Sequence, residues 1–222
     1  YNSQGPGFPF VFPVAGDRWH MLFCAWGNKR GETIPNTTNL ALSDDAGLTW
    51  RYHQADSTPA LPLDQPYDKL TTGSVSVTRV GGEFRLYYTA IAEYIDRPPG
   101  VKTGHGDRIP RIGIGYAVSR DGITWQKPLK EWMVAPRGFD ADPYEYINGK
   151  PFVLREDNGW RMFLSTFGHA YRVRSLVSDD GLKWTRVPSG PDGDLGVGAK
   201  GAFDDHQRSY ASVIRYGNEY RL

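Results

Sequence analysis

Apolar and polar positions alternate along this chain in short runs, and the runs recur in a fixed order. One set reads "FPFVFPV" (8–14), "GSVSVTRV" (73–80), "KPFVLRE" (150–156) and "YASVIRY" (210–216). Each is followed by a turn, an aromatic residue, a basic residue and a second apolar run. These are "AGDRWHMLFCAW" (15–26), "VGGEFRLYYTA" (80–90), "EDNGWRMFLST" (156–166) and the opening of a fourth, "RYGNEYRL" (215–222). The basic position is His20, Arg85 or Arg161. A third run, "NLAL", "IGIGYAV" or "VRSLV", leads into "SDDAGLTW" (43–50), "SRDGITW" (119–125) or "SDDGLKW" (178–184), and another short run follows. Period-two alternation bounded by Gly, Asp and Asn predicts strands and hairpins, not helices. In the repeated phrase, Asp accepts from backbone N–H groups further along and Gly supplies positive φ. The Trp ring is expected beneath the turn. Asp45, Asp121 and Asp180 are therefore read as turn residues, not as catalysts.

The repeating unit is strand, hairpin, strand, loop, strand, Asp-Gly hairpin, strand. It spans about 60–75 residues, longer than common propeller repeats. A single such sheet cannot bury both faces, whereas a ring of them can. The expected fold is all-β: one β-propeller domain over 1–222, with four-stranded antiparallel blades near 8–56, 66–136 and 140–190 and a truncated one at 202–222. About three and a half units are counted. The last one stops inside a strand, so the chain is read as a fragment. A β-sandwich is the competing architecture. Aromatics at 14%, with 26 Gly and 16 Pro, suit many short strands and tight turns. A formal net charge of +1 gives no basic field for nucleic acid. The single Cys24 excludes an internal disulfide, and its run "MLFCAW" makes it a small core residue. No apolar stretch reaches membrane-spanning length. The chain opens at Tyr1 and not Met, so a missing upstream segment is expected and the compartment stays open.

On the Ser-x-Asp-Gly-x-x-Trp hairpins, the "GWRMF" strand (159–163) and the openings "FDADPYEY" (139–146) and "AFDDHQRSYASVIRYGNEYRL" (202–222), the chain resembles the five-bladed β-propeller glycosidase superfamily. That group comprises glycoside hydrolase families 43, 32 and 68, with arabinanases, xylosidases, invertases and levansucrases. "SDDAGLTW" is also similar to the Asp-box of six-bladed sialidases. The "RIP" at Arg108–Pro110 falls between the first two boxes, not ahead of them, and is read as chance.

The resemblance implies three carboxylates converging on the propeller axis, one from each of the first three blades. Cleavage of a glycosidic bond uses a protonated acid on the leaving oxygen and an ionised carboxylate across the sugar ring. Like charges crowded together split their pKa values. Strand starts supply the candidates: Asp68 in blade two, Asp140, Asp142 and Glu145 in blade three, and Asp204, Asp205, His206 and Arg208 in blade four. Asp142, in "ADP", is the first choice for a family-type carboxylate, with Glu145 as acid and Asp68 as the third. A turn-capping role for Asp142 before Pro143 stands beside the catalytic one. Asp140, Asp204, Asp205, His206 and Arg208 are substrate-binding candidates. His105 and Arg108, in a long loop expected at 92–111, and His169 and Trp26, at the ends of second strands, join them. Tyr94 and Phe167 share those rim positions.

The chain also departs from the family. "NDPNG", "EC" and "EGP" are absent, "NGKP" (148–151) stands near the place of the last, and the first blade opens without an acid. The reading is thus a glycosidase using carboxylate chemistry, with a non-hydrolytic carbohydrate-binding propeller as alternative and a sialidase or phosphorylase further off. A phosphorylase needs a basic cluster that the sequence does not locate. No metal-ligand spacing is present, and Gly113 and Gly115 lie inside a strand and not in a dinucleotide loop. No cofactor is required; a structural Ca²⁺ on the axis is compatible by resemblance only. Carbohydrate is the expected partner, with neither nucleic acid nor membrane.

Overall fold

Strand-forming runs separated by Asp-Gly turns fold here into antiparallel meanders. The computed structural model describes residues 5–26, 28–29, 32–33, 36–53, 58–217 and 219–222, and no helix occurs among them. The first meander joins β1 (Gly5–Ala15), β2 (Arg18–Trp26), β5 (Thr37–Ser43) and β6 (Arg51–Tyr52), with a small hairpin, β3 (Asn28–Lys29) and β4 (Glu32–Thr33), inserted between β2 and β5. The second comprises β7 (Thr71–Val80), β8 (Glu83–Asp96) and β9 (Arg108–Ser119), its outer edge reduced to bridges at Gln126 and Val134. The third runs β10 (Ile147–Glu156), β11 (Gly159–Phe167), β12 (Tyr171–Ser178) and β13 (Thr185–Arg186). A last pair, β14 (Ile214–Tyr216) and β15 (Glu219–Arg221), follows. The second and third meanders are linked by a single parallel pair, Ile147 with Ile112, and every sheet is open.

The loop expected at 92–111 is strand at both of its ends, 92–96 and 108–111. After a bulge at Ile91–Glu93, β8 and β9 keep pairing through Tyr94 with Pro110 and Asp96 with Arg108. The connecting loop is only 97–107, closed by the Arg97 N–H on the Asp107 carbonyl at 2.8 Å. The arm is thus an extended hairpin. Within β9, Gly115 is required because a Cβ there would overlap the Tyr88 ring.

The three repeated turns share one hydrogen-bond pattern. Ser43, Ser119 and Ser178 donate their hydroxyls to Asp45, Asp121 and Asp180 at 2.6, 2.8 and 3.0 Å. The same Ser oxygens accept from the turn N–H of Gly47, Gly122 and Gly181, each at 2.9 Å. The Asp carboxylates accept in turn from N–H groups at Thr49, at Ile123 and Thr124, and at Leu182 and Lys183. The Trp50 indole donates back to the Gly47 carbonyl at 2.9 Å. Bonds from Ser43 and Thr49 hold the Asp45 carboxyl down at about 2. Burial works against Asp121, yet the Ile123 and Thr124 N–H groups still keep it low; the Lys183 and Leu182 N–H groups do the same for Asp180.

The meanders are joined through these turns and through the first strands. His20 Nδ1 lies 3.2 Å from the Gly122 carbonyl, and Arg85 and Tyr87 donate to the carbonyls of Asp180 and Gly181 at 2.7 and 2.9 Å. Adjacent residues of β8 face opposite ways, as strand geometry requires. Tyr88 enters a core with Phe12, Leu22, Val75 and Trp125, and Tyr87 enters another with Tyr116, Met162 and Leu176. Each of β1, β7 and β10 carries a bulge at Gly7, Gly73 or Gly149, and the next residue has positive φ: Phe8 at 50°, Ser74 at 26° and Lys150 at 49°. Tyr210, at 61°, occupies the corresponding place before β14. Left-handed non-glycine residues cost about 1–3 kcal/mol each and persist only when their surroundings fix them. Here a side chain from the preceding meander does so. Cys24 Sγ accepts the Ser74 N–H, Thr89 Oγ1 the Lys150 N–H at 2.9 Å, and Ser165 Oγ the Tyr210 N–H at 2.6 Å. Cys24 is buried, which pushes its thiol up to about 11, so it serves as packing and acceptor.

Two consequences are measurable. Thr89→Val strands the Lys150 N–H and is expected to cost about 1–3 kcal/mol in denaturant unfolding, most of which Thr89→Ser restores. An unperturbed Thr89→Val variant would contradict the role of this bond. The low Asp45 carboxyl supplies stability that is complete above 3.8 and lost as pH falls toward about 2. Asp45→Asn is expected to flatten the acid limb of the stability curve over that window, and an unchanged limb would contradict the assignment.

Candidate functional site

The segment that enters β10 brings Asp142 and Glu145 to one face of the third meander. Alternation along the neighbouring strands places Thr166 of β11, Arg174 of β12 and Arg186 of β13 on that same face. Together with Arg137 they line a cavity of about 320 Å³. Asp142 Oδ1 accepts the Tyr144 N–H at 2.8 Å, and its Oδ2 pairs with Arg174 Nη2 at 2.8 Å. Asp142 therefore caps the turn before Pro143 and faces the cavity at once. Glu145 is buried, and Oε1 receives both Nε and Nη2 of Arg186 at 2.6 Å. Among the described residues its Oε2 has no partner, and neither has the buried Nε of Arg174. Arg174 Nη1 is spent on Ser189 Oγ at 2.5 Å and the Gly190 carbonyl at 3.1 Å. The cavity is walled by three arginines and two acids, and the two unpartnered atoms lie behind its surface.

The other sequence candidates lie in separate surroundings. Asp140 is exposed on the same segment. The phenol of Tyr146 is pushed up by burial and by the charges of Asp142 and Asp140. Asp68 is fully buried and does not line the cavity. Its Oδ2 accepts from Lys127 Nζ at 2.6 Å and Tyr88 Oη at 2.7 Å, and its Oδ1 from the Gln65 N–H at 3.0 Å. Lys127 reaches further, to Asp64 at 3.0 Å and the Pro62 carbonyl. Asp204 pairs with Arg208, whose Nη1 also donates to the Leu195 carbonyl at 2.6 Å. Asp205 accepts the Gly201 N–H at 2.7 Å, and His206 offers its carbonyl to Arg172 at 2.9 Å. Arg108 bonds the Tyr94 carbonyl at 2.8 Å on the exposed arm. His169 stacks edge-on with Tyr144 at 5.6 Å.

Trp26 and His105 stand at opposite ends of a feature the sequence reading missed. Ring contacts run from Trp26 to Phe8 (5.8 Å), Tyr210 (5.5 Å), Tyr171 (5.5 Å), Phe167 (4.5 Å) and His105 (4.8 Å). This arc passes through two of the left-handed residues. Burial raises the Tyr171 phenol, with Tyr210 adding to it, and lowers the His105 imidazole. The sequence signal is "GFPFV" (7–11) echoed by "GKPFV" (149–153). The cavity arginines were missed because Arg174 sits inside the apolar run "VRSLV". The residues at the bulges, Phe8, Ser74, Lys150 and Tyr210, include an ammonium where Ca²⁺ needs several oxygen ligands, so they do not fit that ion. Among the described residues no helix is long and apolar enough to cross a membrane.

No family model matches the chain. The uncharacterized protein Rv1502 of Mycobacterium tuberculosis (strain ATCC 25618 / H37Rv) is 29% identical over 178 residues, covering 78% of this chain. The chain spans about half the length of that curated relative, 52%. Among solved structures, a glycoside hydrolase superposes with a TM-score of 0.70 at 20% identity, over 97% of this chain and 64% of its own. A GH32 beta-fructofuranosidase of Bombyx mori gives 0.65 at 14% identity, over 97% and 40%. The chain therefore has a glycoside hydrolase-like all-β fold.

The Asp68 network is expected to be structural. Lys127→Met leaves a buried carboxylate unpaired and should cost about 3–5 kcal/mol in chemical denaturation, with Asp68→Asn in the same chain recovering part of it. Additive losses in the double variant would contradict a coupled pair.

Proposed function

We propose that the chain is part of a five-bladed β-propeller glycoside hydrolase, its three meanders being successive blades, and that Asp142 and Glu145 work on a saccharide in the cavity of the third. The observation that carries this is the convergence of Asp142 and Glu145 with Arg174 and Arg186 on one cavity of about 320 Å³. Carboxylates accept and guanidinium groups donate, so such a lining suits the hydroxyls of a sugar.

In this reading Glu145 is the proton donor to the leaving oxygen. Arg186 holds Oε1 and fixes the carboxyl plane. Asp142 is the ionised partner, oriented by Arg174 and the Tyr144 N–H, and each of its oxygens keeps acceptor capacity. Asp140, on the same segment, and the Asp204–Arg208 group are binding candidates at the rim, and the His105 and Trp26 rings supply stacking surface.

One observation favours the non-hydrolytic alternative. Both cavity carboxylates are ion-paired. A binding protein with the same cavity would hold sugar without turnover.

The test is hydrolysis by the full-length protein on aryl glycosides, sucrose, fructans and arabinans, beside Glu145→Gln and Asp142→Asn. Loss of a general acid is expected to lower kcat by about 10²–10⁴ while the melting curve is kept. Turnover retained by Glu145→Gln would remove Glu145 from the chemistry. Sugar binding with no turnover by the native protein would establish the alternative.

A further inference from the structure

Of the three arginines around the cavity of the third meander, two are already committed. Arg174 gives Nη2 to Asp142, and Nη1 to Ser189 and the Gly190 carbonyl. Arg186 gives Nε and Nη2 to Glu145, and Nη2 also reaches the Ala135 carbonyl at 2.9 Å. Arg137 is different. Its backbone N–H donates to the Glu145 carbonyl at 3.1 Å, which holds the residue in register with the acid. It lines the cavity and is exposed, and among the described residues its guanidinium has no hydrogen bond, ion pair or ring contact.

The charges of the walls point the same way. Three guanidinium groups face two carboxylates, so one positive charge is unanswered. The two acid–arginine pairs neutralise each other. The remaining charge sits on the exposed residue, where a ligand can reach it. The exposed Asp140 is not part of these walls. A guanidinium is always charged, and its planar fork matches a carboxylate or a phosphate through two parallel hydrogen bonds. A neutral sugar would leave that fork unused. Ser189 adds a second donor to the same walls: its Oγ accepts from Arg174, and its own hydrogen stays free. At about 320 Å³ the cavity lies at the lower end of ordinary ligand pockets, room for one sugar residue and not for a polymer.

We infer that this cavity selects an anionic sugar residue, one that carries a carboxylate or a phosphate, and that Arg137 is the specificity-determining residue that takes the anion. The choice of a sugar rests on the proposed function; the choice of an anion, and of the residue that reads it, rests on Arg137. Pairing with Arg174 and Arg186 keeps Asp142 and Glu145 from repelling the incoming charge. A contact at an exposed guanidinium is screened by salt, so the preference for the anion is expected to shrink as ionic strength rises.

The experiment is calorimetric titration of the full-length protein with glucuronate and galacturonate, each beside its neutral amide, and with glucose 6-phosphate beside glucose. At least one anionic sugar is expected to bind about tenfold or more tighter than its neutral counterpart, the scale of one charge-assisted hydrogen bond. Arg137→Gln should erase that preference with the melting curve kept, since its side chain supports no other group. Arg137→Lys keeps the charge without the fork and should retain part of it. Asp142→Asn should weaken charged and neutral sugars together, which ties both to one cavity. A preference confined to the uronates assigns a carboxylate, and one confined to glucose 6-phosphate assigns a phosphate. Equal affinity for charged and neutral sugars, absence of binding by all of them, or a preference that survives Arg137→Gln would each overturn the inference. The two readings fail separately. Neutral sugars that bind through Asp142 with no gain from charge would sink the role of Arg137 and leave the cavity a saccharide site. An Arg137-dependent preference without turnover of any glycoside would sustain that role and remove the hydrolysis.

Discussion

Each first strand after β1 is locked by one hydrogen bond from the meander before it. Cys24, Thr89 and Ser165 hold the same place in successive second strands, and each accepts the N–H of a residue in the left-handed region of the next unit. A left-handed residue in a strand start is costly and leaves its N–H outside the ladder. The acceptor removes the second cost and fixes the first. Strand registry, bulge position and meander orientation are therefore set by the same atom. The turn contacts from His20, Arg85 and Tyr87 repeat that coupling at the other end of the units.

Those locks explain why the entry to β10 is rigid enough to hold a site. Lys150 is pinned by Thr89, and three residues earlier the strand begins at Ile147, paired with Phe167. The segment before it is fixed by Tyr146 N–H on the Phe167 carbonyl at 3.0 Å and by His169 N–H on the Pro143 carbonyl at 3.0 Å. Asp142 and Glu145 lie between these anchors, so their carboxylates meet Arg174 and Arg186 without a mobile loop. Positioned groups of this kind save the reorganisation that a flexible site would need at the moment of reaction.

Much of this was legible in the sequence, for definable reasons. The meanders follow from period-two alternation and from turns whose Ser, Asp and Gly have local jobs, and local jobs leave a local signature. The pairing of Asp142 with Glu145 was visible because both sit in one short segment. The arginines were not, since Arg174 and Arg186 reach them from strands 29 and 41 positions beyond Glu145 and look like ordinary strand residues. Asp68 was read as a strand-start acid, but its partner Lys127 lies after the second turn phrase, and only the fold brings the two together. The extension of β8 and β9 past residue 92 was hidden by Pro98, Pro99 and several glycines, which mark a turn correctly yet say nothing of the strands on either side.

The most direct measurement of the central claim is a crystal structure of the full-length protein with a bound monosaccharide. The account predicts a sugar in the cavity lined by Asp142, Glu145, Arg174 and Arg186, with the Arg186 and Tyr144 contacts kept. A sugar bound outside that cavity would contradict it.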